Sequence, residues 1–140
     1  MSRKEVNRKE ARVYAYILIF EYIFTKETED GISKDIIFQI QELSKIESEY
    51  IESVVHGVKE HYDELLEIIS RNAKNFKLER IFRADLAALL LAVYEMKYMP
   101  DIPMNVSIAE AVEIVKSYAT EKSYQFVNGV LSGVYKELNA

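Results

Sequence analysis

A chain of 140 residues corresponds to one domain, because domains typically contain about 100–200 residues and cores divide only above roughly 250. Hydrophobic residues make up 49% of the chain and charged residues 29%, a composition that excludes a disordered or membrane-embedded protein. Four glycines and two prolines are too few for a turn-rich β sandwich or barrel. The absence of cysteine excludes disulfides and thiolate-based zinc or catalytic sites.

The formal net charge of −5, taken as an average, argues against nucleic acid as a partner. The charges are unevenly placed, however. Residues 1–12 contain five basic and two acidic side chains, a sum of +3, so the remaining 128 residues sum to −8. A second basic segment, residues 71–83, has five basic side chains and one acidic one. Two short basic segments on an acidic body leave open either solvated helix faces or contacts with an anionic partner.

Targeting and membrane segments are not recognisable in the sequence. The longest apolar runs, Val13–Phe20 and Leu86–Tyr94, are eight and nine residues long, whereas a transmembrane helix needs roughly 18. Glu5 and Glu10 interrupt the basic start, and no small-residue cleavage site follows. We therefore expect a cytoplasmic protein that does not contact a membrane.

Helical periodicity runs through almost the whole sequence, and no convincing strand alternation, internal repeat or low-complexity segment is found. The apolar positions of the predicted helices lie within Ala11–Tyr22, Ile36–Leu43, Ile51–Ile69, Leu78–Met96, Ile108–Val115 and Phe126–Leu138. The fourth helix is apolar nearly all round at 86–93, which predicts that it forms the buried centre of the domain. The sequence thus predicts one all-α domain, a compact bundle of six or seven helices.

Helix boundaries are predicted from capping residues and prolines. Ser33 and Ser123 are candidate N-caps of the second and sixth helices, and Ser107 with Glu110 forms a capping box for the fifth. Pro100 and Pro103 are expected to end the fourth helix.

Two glycines four residues apart, Gly129 and Gly133, form a shallow strip on the sixth helix. Such a strip predicts close packing against another helix, because an interior glycine costs about 0.5–1 kcal/mol relative to alanine.

Catalytic and metal-binding patterns are not found. His56 and His61 are five residues apart, roughly 140° around a helix, and cannot share a metal ion. The chain has no phosphate-binding loop, nucleophile elbow, dinucleotide fingerprint or inward Glu-x-x-His pair. The sequence therefore predicts a protein that is not an enzyme and that has no cofactor or metal ion.

The first helix offers a possible RNA-binding stripe. Lys4, Arg8, Arg12 and Tyr16 are spaced by four residues, and Lys9 flanks them. Guanidinium groups bind phosphates bidentately, and an aromatic ring offers a stacking surface for a base. The alternative from these residues alone is an ordinary solvated helix turn.

Several motifs resemble those of the NusB transcription antitermination family. Arg8–Arg12 and Ile19–Glu21 resemble the family's Arg-rich opening, and Leu78–Ile81, Asp85 and Leu91–Glu95 its central signature. Asp101–Pro103, Ile108–Glu113, Lys116 and Tyr118 follow in the family's order, and Phe126–Leu131 resembles its most distinctive motif. The chain departs from the pattern at Leu90, where an arginine is usual, and at Glu10, which interrupts the basic run.

The resemblance implies an all-helical protein that binds the single-stranded boxA element of nascent ribosomal RNA leaders. It does so together with the ribosomal protein NusE, as part of an antitermination complex with RNA polymerase. The implied RNA contacts come from Arg8, Lys9 and Arg12 of the first helix, with Lys122 and Phe126 of the last. The implied partner-binding residues are Asp85, Tyr94 and Glu95.

Three other interpretations remain open. The chain could be a protein-interaction module that docks NusE without touching RNA, or a homodimer that hides its RNA face. It could also be an RNA-targeting domain of a larger methyltransferase, for which we expect 140 residues to leave no room.

Overall fold

The computed structural model describes residues 7–28 and 45–140. Within these ranges the chain forms six α-helices and one 3₁₀ turn, with no strand. The helices are α1 (Arg8–Thr28), α2 (Lys45–Glu60), α3 (Tyr62–Asn72), α4 (Arg83–Tyr98), α5 (Met104–Tyr118) and α6 (Glu121–Leu138), and the 3₁₀ turn is Leu78–Arg80. The predicted all-α fold is confirmed; the helix predicted around Ile36–Leu43, with its cap Ser33, lies outside the described residues.

Helix α4 is the centre of the bundle, as its sequence predicted. All residues from Leu86 to Val93 are buried, and α4 packs against each of the other five helices. Leu90, where the family usually has arginine, is fully buried. The helix ends at Tyr98, before Pro100, as expected for a residue that cannot continue the hydrogen-bond ladder. In the described residues, no helix is long and apolar enough to span a membrane.

The predicted long third helix is wrong, because the chain breaks at His61 into α2 and α3. His61 has φ −106° and ψ 21°, outside helical geometry. Its N–H still donates to the Gly57 carbonyl at 3.0 Å, and the Leu65 N–H donates to the His61 carbonyl at 2.9 Å. Since helical hydrogen bonding continues on both sides of the break, the apolar periodicity keeps its register and gives no sign of it.

The predicted start of the fourth helix is also wrong. Leu78–Arg80 form a 3₁₀ turn, Ile81 and Phe82 are extended, and α4 begins only at Arg83. Phe82, which the periodicity placed on the core face, is instead 68% exposed.

One side-chain cap was not predicted, and two predicted caps are wrong. Asn7 caps α1, because its Oδ1 accepts the Glu10 backbone N–H at 2.8 Å. Helix α5 begins three residues before Ser107, at Met104, where Pro103 supplies a suitable φ of −58°. Helix α6 begins at Glu121 after an extended Thr120, so Ser123 lies inside it. Neither Ser107 nor Ser123 is an N-cap, and both side chains are buried.

The glycine strip of α6 is only half explained by close packing. An added Cβ on Gly133 would lie 2.6 Å from the Asn72 Oδ1, so this glycine does permit a close approach by α3. An added Cβ on Gly129 would meet nothing within 4 Å, and the packing prediction is wrong there.

Candidate nucleic-acid interface

A surface cavity opens where the 3₁₀ turn meets the first turns of α4 and α6. Its volume is about 240 Å³. Its lining residues are Phe76, Arg80, Ile81, Phe82, Asp85, Thr120, Lys122, Ser123 and Phe126. We call this feature the aromatic cavity. Lys122, Phe126 and Asp85 were all site candidates in the sequence, and the fold brings the three together.

Local backbone geometry presents the rings of the aromatic cavity. Asn75 has φ 71°, a left-handed conformation that asparagine tolerates better than most residues, and it turns the chain after α3. Phe76 follows and is 51% exposed. Its ring meets Phe126 of α6 edge to face, with centroids 4.9 Å apart. Together with the exposed Phe82, these rings form an apolar surface, and its contact with water is energetically unfavourable.

The cationic rim of the cavity consists of Arg80 and Lys122. Both side chains are exposed, and neither forms an ion pair with any residue in the described ranges. Arg80 belongs to the second basic segment identified in the sequence. Unpaired cations beside exposed rings suit a ligand that carries both phosphate and planar bases.

Asp85 lies on the floor of the aromatic cavity. It is 3% exposed, and its carboxyl oxygen Oδ1 is buried without a hydrogen-bond partner. Burial raises the pKa of Asp85 above its ordinary value, and the Ser123 hydroxyl lowers it by less. The buried position lets Asp85 contact only what enters the cavity, and its predicted role in partner binding stays a prediction.

An open groove of about 530 Å³ extends from the aromatic cavity along α6. Phe76 and Phe126 line both the cavity and the groove, and Lys74 and Lys136 lie on the groove's sides. The groove and cavity together can therefore accommodate a ligand longer than a single nucleotide.

The basic stripe predicted on α1 is not a continuous exposed surface. Arg8 donates to Glu47 at 2.8 Å and stacks over the Tyr50 ring at 4.1 Å, with its side chain 36% exposed. Lys9 lies 3.8 Å from Glu110 and is 59% exposed. Lys4 lies outside the described residues. Both described cations at the start of α1 are thus already close to acids of the same chain.

The structure corrects the exposure expected for Arg12 and Tyr16. Arg12 is buried, and its guanidinium contacts both carboxylate oxygens of Glu95 at 3.0–3.3 Å. Tyr16 is 4% exposed, and burial raises its pKa to about 12. Neither side chain is available on the surface in this conformation.

Glu95, predicted as a partner-binding residue, lies in the interior at 1% exposure. Besides Arg12, its carboxylate accepts hydrogen bonds from the Tyr50 hydroxyl and, at 2.8 Å, from the Ser107 hydroxyl. These donors satisfy the buried charge, and burial beside Glu95 raises the pKa of Tyr50. The prediction for Glu95 is corrected, because its carboxylate joins α1, α2, α4 and α5 and reaches no surface.

Tyr94 lies on the opposite side of α4 from the aromatic cavity's floor and is half-buried. Its ring packs over Gly57 of α2 and lies 5.3 Å from the Tyr98 ring. Tyr98 in turn stacks on His61 at 4.2 Å and donates its hydroxyl to Glu64, which Lys97 also contacts at 2.7 Å. A partner could therefore reach only the exposed part of the Tyr94 ring.

In the described residues, no group of three or more His, Asp or Glu side chains is arranged to hold a metal ion.

Sequence reasoning missed Phe76, Phe82 and Arg80 as site residues. Phe82 was assigned to a helix face, and no role was assigned to Phe76. The signal that could have found these residues is the second basic segment, residues 71–83, because it contains all three.

The fold and the cavity define an all-α domain with a buried central helix and an aromatic, cation-rimmed surface site. The NusB family model matches residues 9–136, and the chain belongs to the NusB family. It is 34% identical over 139 residues to the transcription antitermination protein NusB of Clostridium botulinum (strain Kyoto), covering 90% of this chain and 97% of that protein. It is 49% identical over 89 residues to the Bacillus subtilis NusB, covering 64% and 68%.

Solved structures agree with this assignment. T. maritima NusB superposes with a TM-score of 0.84 at 32% identity, covering 96% of this chain and 94% of that one. A chain from the crystal structure of the antitermination factors NusB and NusE in complex with dsRNA superposes with a TM-score of 0.79 at 27% identity, covering 93% and 96%.

Proposed function

We propose that this chain is a transcription antitermination factor that binds boxA RNA of nascent ribosomal RNA leaders together with NusE. Its membership of the NusB family supports the proposal, as does the similarity to a NusB chain in a structure with NusE and dsRNA. The observation that carries the RNA part is the aromatic cavity, where three phenylalanines lie beside two unpaired cations. The protein then acts by binding rather than by catalysis, in the cytoplasm where RNA is made, within an assembly that includes RNA polymerase.

The RNA is bound as an unpaired strand in this mechanism. Bases of a single strand can stack on Phe76, Phe82 or Phe126, whereas bases inside a duplex present only their edges. Arg80 and Lys122 hold the phosphates on either side of the stacked base, and Arg8 and Lys9 add contacts if RNA displaces Glu47 and Glu110. Weak RNA binding by the chain alone follows from the small number of free cations.

The test is a titration of a fluorescein-labelled boxA RNA, followed by anisotropy, with and without NusE. If about three phosphates are neutralised, log K should fall against log salt concentration with a slope of roughly −2. Lys122→Ala should reduce that slope by about 0.7 and weaken binding several-fold, because one phosphate contact is lost. Lys26→Ala removes the same charge from the far end of α1 and should change neither value.

One observation favours the alternative of a module that docks NusE without touching RNA. The cations of α1 are already paired with Glu47, Glu110 and Glu95 of the same chain. If the alternative holds, Lys122→Ala should bind NusE as the wild type does. The NusE-bound wild type and the NusE-bound variant should then have the same affinity for boxA RNA. Sedimentation of the free chain would show whether it forms a homodimer before NusE arrives.

A further inference from the structure

Asp85 presents a buried hydrogen-bond acceptor that the protein leaves unsatisfied. Its Oδ1 has no partner, although the residue is only 3% exposed. Buried polar atoms without partners are rare in folded proteins, since each costs free energy that a hydrogen bond would recover. Of the buried side-chain nitrogen and oxygen atoms in the described residues, this is the one left without a partner.

The surroundings of that oxygen are those of a small planar ligand. Asp85 lines the same cavity as Phe82 and Phe126, whose rings offer apolar faces. At about 240 Å³ the cavity is smaller than the roughly 300–1,000 Å³ of sites for drug-sized molecules, and so suits one ring system. Arg80 and Lys122 at the rim would hold phosphates attached to that ring.

We propose that the aromatic cavity binds one nucleobase that carries an exocyclic amino group, and that this amino group donates a hydrogen bond to Asp85 Oδ1. This inference rests on the RNA-binding function proposed above and adds a specificity-determining residue to it. Cytosine, adenine and guanine each carry an exocyclic amino group that can donate to a carboxylate acceptor. Uracil has a carbonyl oxygen where cytosine has its amino group, and that oxygen cannot donate a hydrogen bond to Oδ1. Asp85 therefore selects against uracil at this one position.

The position of Asp85 is set by the packing of α4 and α6 around the cavity. Asp85 is 3% exposed in the first turn of α4, and its Oδ1 has no hydrogen-bond partner. Ser123 of α6, which lines the same cavity, is also 3% exposed, and its hydroxyl lies 3.2 Å from the Thr120 hydroxyl. The buried acceptor is thus present before a base enters.

The experiment compares three fluorescein-labelled RNA hexamers on the wild-type chain by anisotropy. One is all cytidine, one is all uridine, and one contains pyrimidin-2-one riboside, which is cytidine without its 4-amino group. We expect the cytidine hexamer to bind about tenfold more tightly than either of the others, the usual value of a hydrogen bond to a charged group. Because only the RNA is changed, this comparison does not depend on the folding of any variant.

Variants then assign the preference to Asp85. Asp85→Asn keeps the shape of the side chain but adds an amide N–H that can donate to the uracil carbonyl oxygen, so the preference for cytidine over uridine should fall to about onefold. Asp101→Asn, the same change at an exposed position between α4 and α5, should leave the preference intact. Equal binding of the three hexamers, or a preference that survives Asp85→Asn, overturns the inference while RNA binding itself stands. If no hexamer binds, the RNA-binding proposal fails, and the inference fails with it.

Discussion

At the scale of single residues, two buried carboxylates of α4 differ in how fully they are hydrogen-bonded. Glu95 is buried and receives hydrogen bonds from Arg12, Tyr50 and Ser107. Asp85 is almost as buried but leaves one oxygen unpartnered beside a surface cavity. The first arrangement stabilises the contact between helices, whereas the second costs stability and offers an acceptor to a ligand.

The Arg12–Glu95 pair gives the first prediction. Arg12→Ala should lower the free energy of unfolding by about 3–5 kcal/mol, because it leaves the Glu95 carboxylate buried without its counter-charge. Lys9→Ala, on the same helix but exposed and 3.8 Å from Glu110, should lower it by less than about 1 kcal/mol. Urea denaturation followed by circular dichroism measures both. Equal, small effects of the two changes would mean that Arg12 does not stabilise the core.

Asp85 gives a prediction on pH. Its folded-state pKa lies above the ordinary 3.8, so the folded protein retains the proton longer than the unfolded chain does. As pH rises above about 3.8, stability is therefore lost until the folded-state pKa has been passed. Asp85→Asn lacks this loss, so its stability relative to the wild type should increase between about pH 4 and pH 7. Urea titrations at both pH values test this. A difference that does not change with pH, or an equal change in Asp101→Asn, would contradict the raised pKa.

At the scale of elements, the break between α2 and α3 and the late start of α4 shape the two ends of the central helix. The break at His61 brings its ring onto Tyr98, near the end of α4. The extended residues Ile81 and Phe82 delay the start of α4 and leave Phe82 on the surface. Both irregularities therefore determine which aromatic rings a partner can reach.

The glycines of α2 and α6 give a matched pair of tests at this scale. Gly57→Ala should destabilise the protein by about 1–3 kcal/mol, because the added methyl group would overlap the Tyr94 ring. Gly129→Ala enters open space within a helix and should be neutral or stabilising by up to about 1 kcal/mol. Thermal or urea unfolding distinguishes the two. Equal effects of both substitutions would mean that Tyr94 does not pack closely on α2.

The sequence predicted the all-α class, the buried centre at 86–93 and three members of the aromatic cavity, Asp85, Lys122 and Phe126. Periodicity reports which residues are apolar, and so the core was predictable. It does not report which polar residues are buried in pairs, and Arg12 and Glu95 lie 83 positions apart. Ser107 and Ser123 follow capping patterns but lie inside α5 and α6, because the real helix starts are upstream of them.

At the scale of the whole molecule, the net charge of −5 and the +3 of residues 1–12 both mislead when read alone. The described cations of α1 face Glu47, Glu110 and Glu95, which neutralise much of that local charge. The unpaired cations at the aromatic cavity come from two later segments, at Arg80 and Lys122. The RNA face that we propose is thus assembled by the fold from the second basic segment and the last helix.

The most direct test of this RNA face is the affinity of boxA RNA for the NusE-bound protein carrying Phe82→Ala. The wild-type protein and Phe24→Ala, which removes an exposed ring from α1, serve as references. Loss of one stacked base should weaken binding by about tenfold in Phe82→Ala, with no change in melting temperature, while Phe24→Ala binds like the wild type. Unchanged affinity of Phe82→Ala would contradict the account, because the RNA would then bind elsewhere on the molecule.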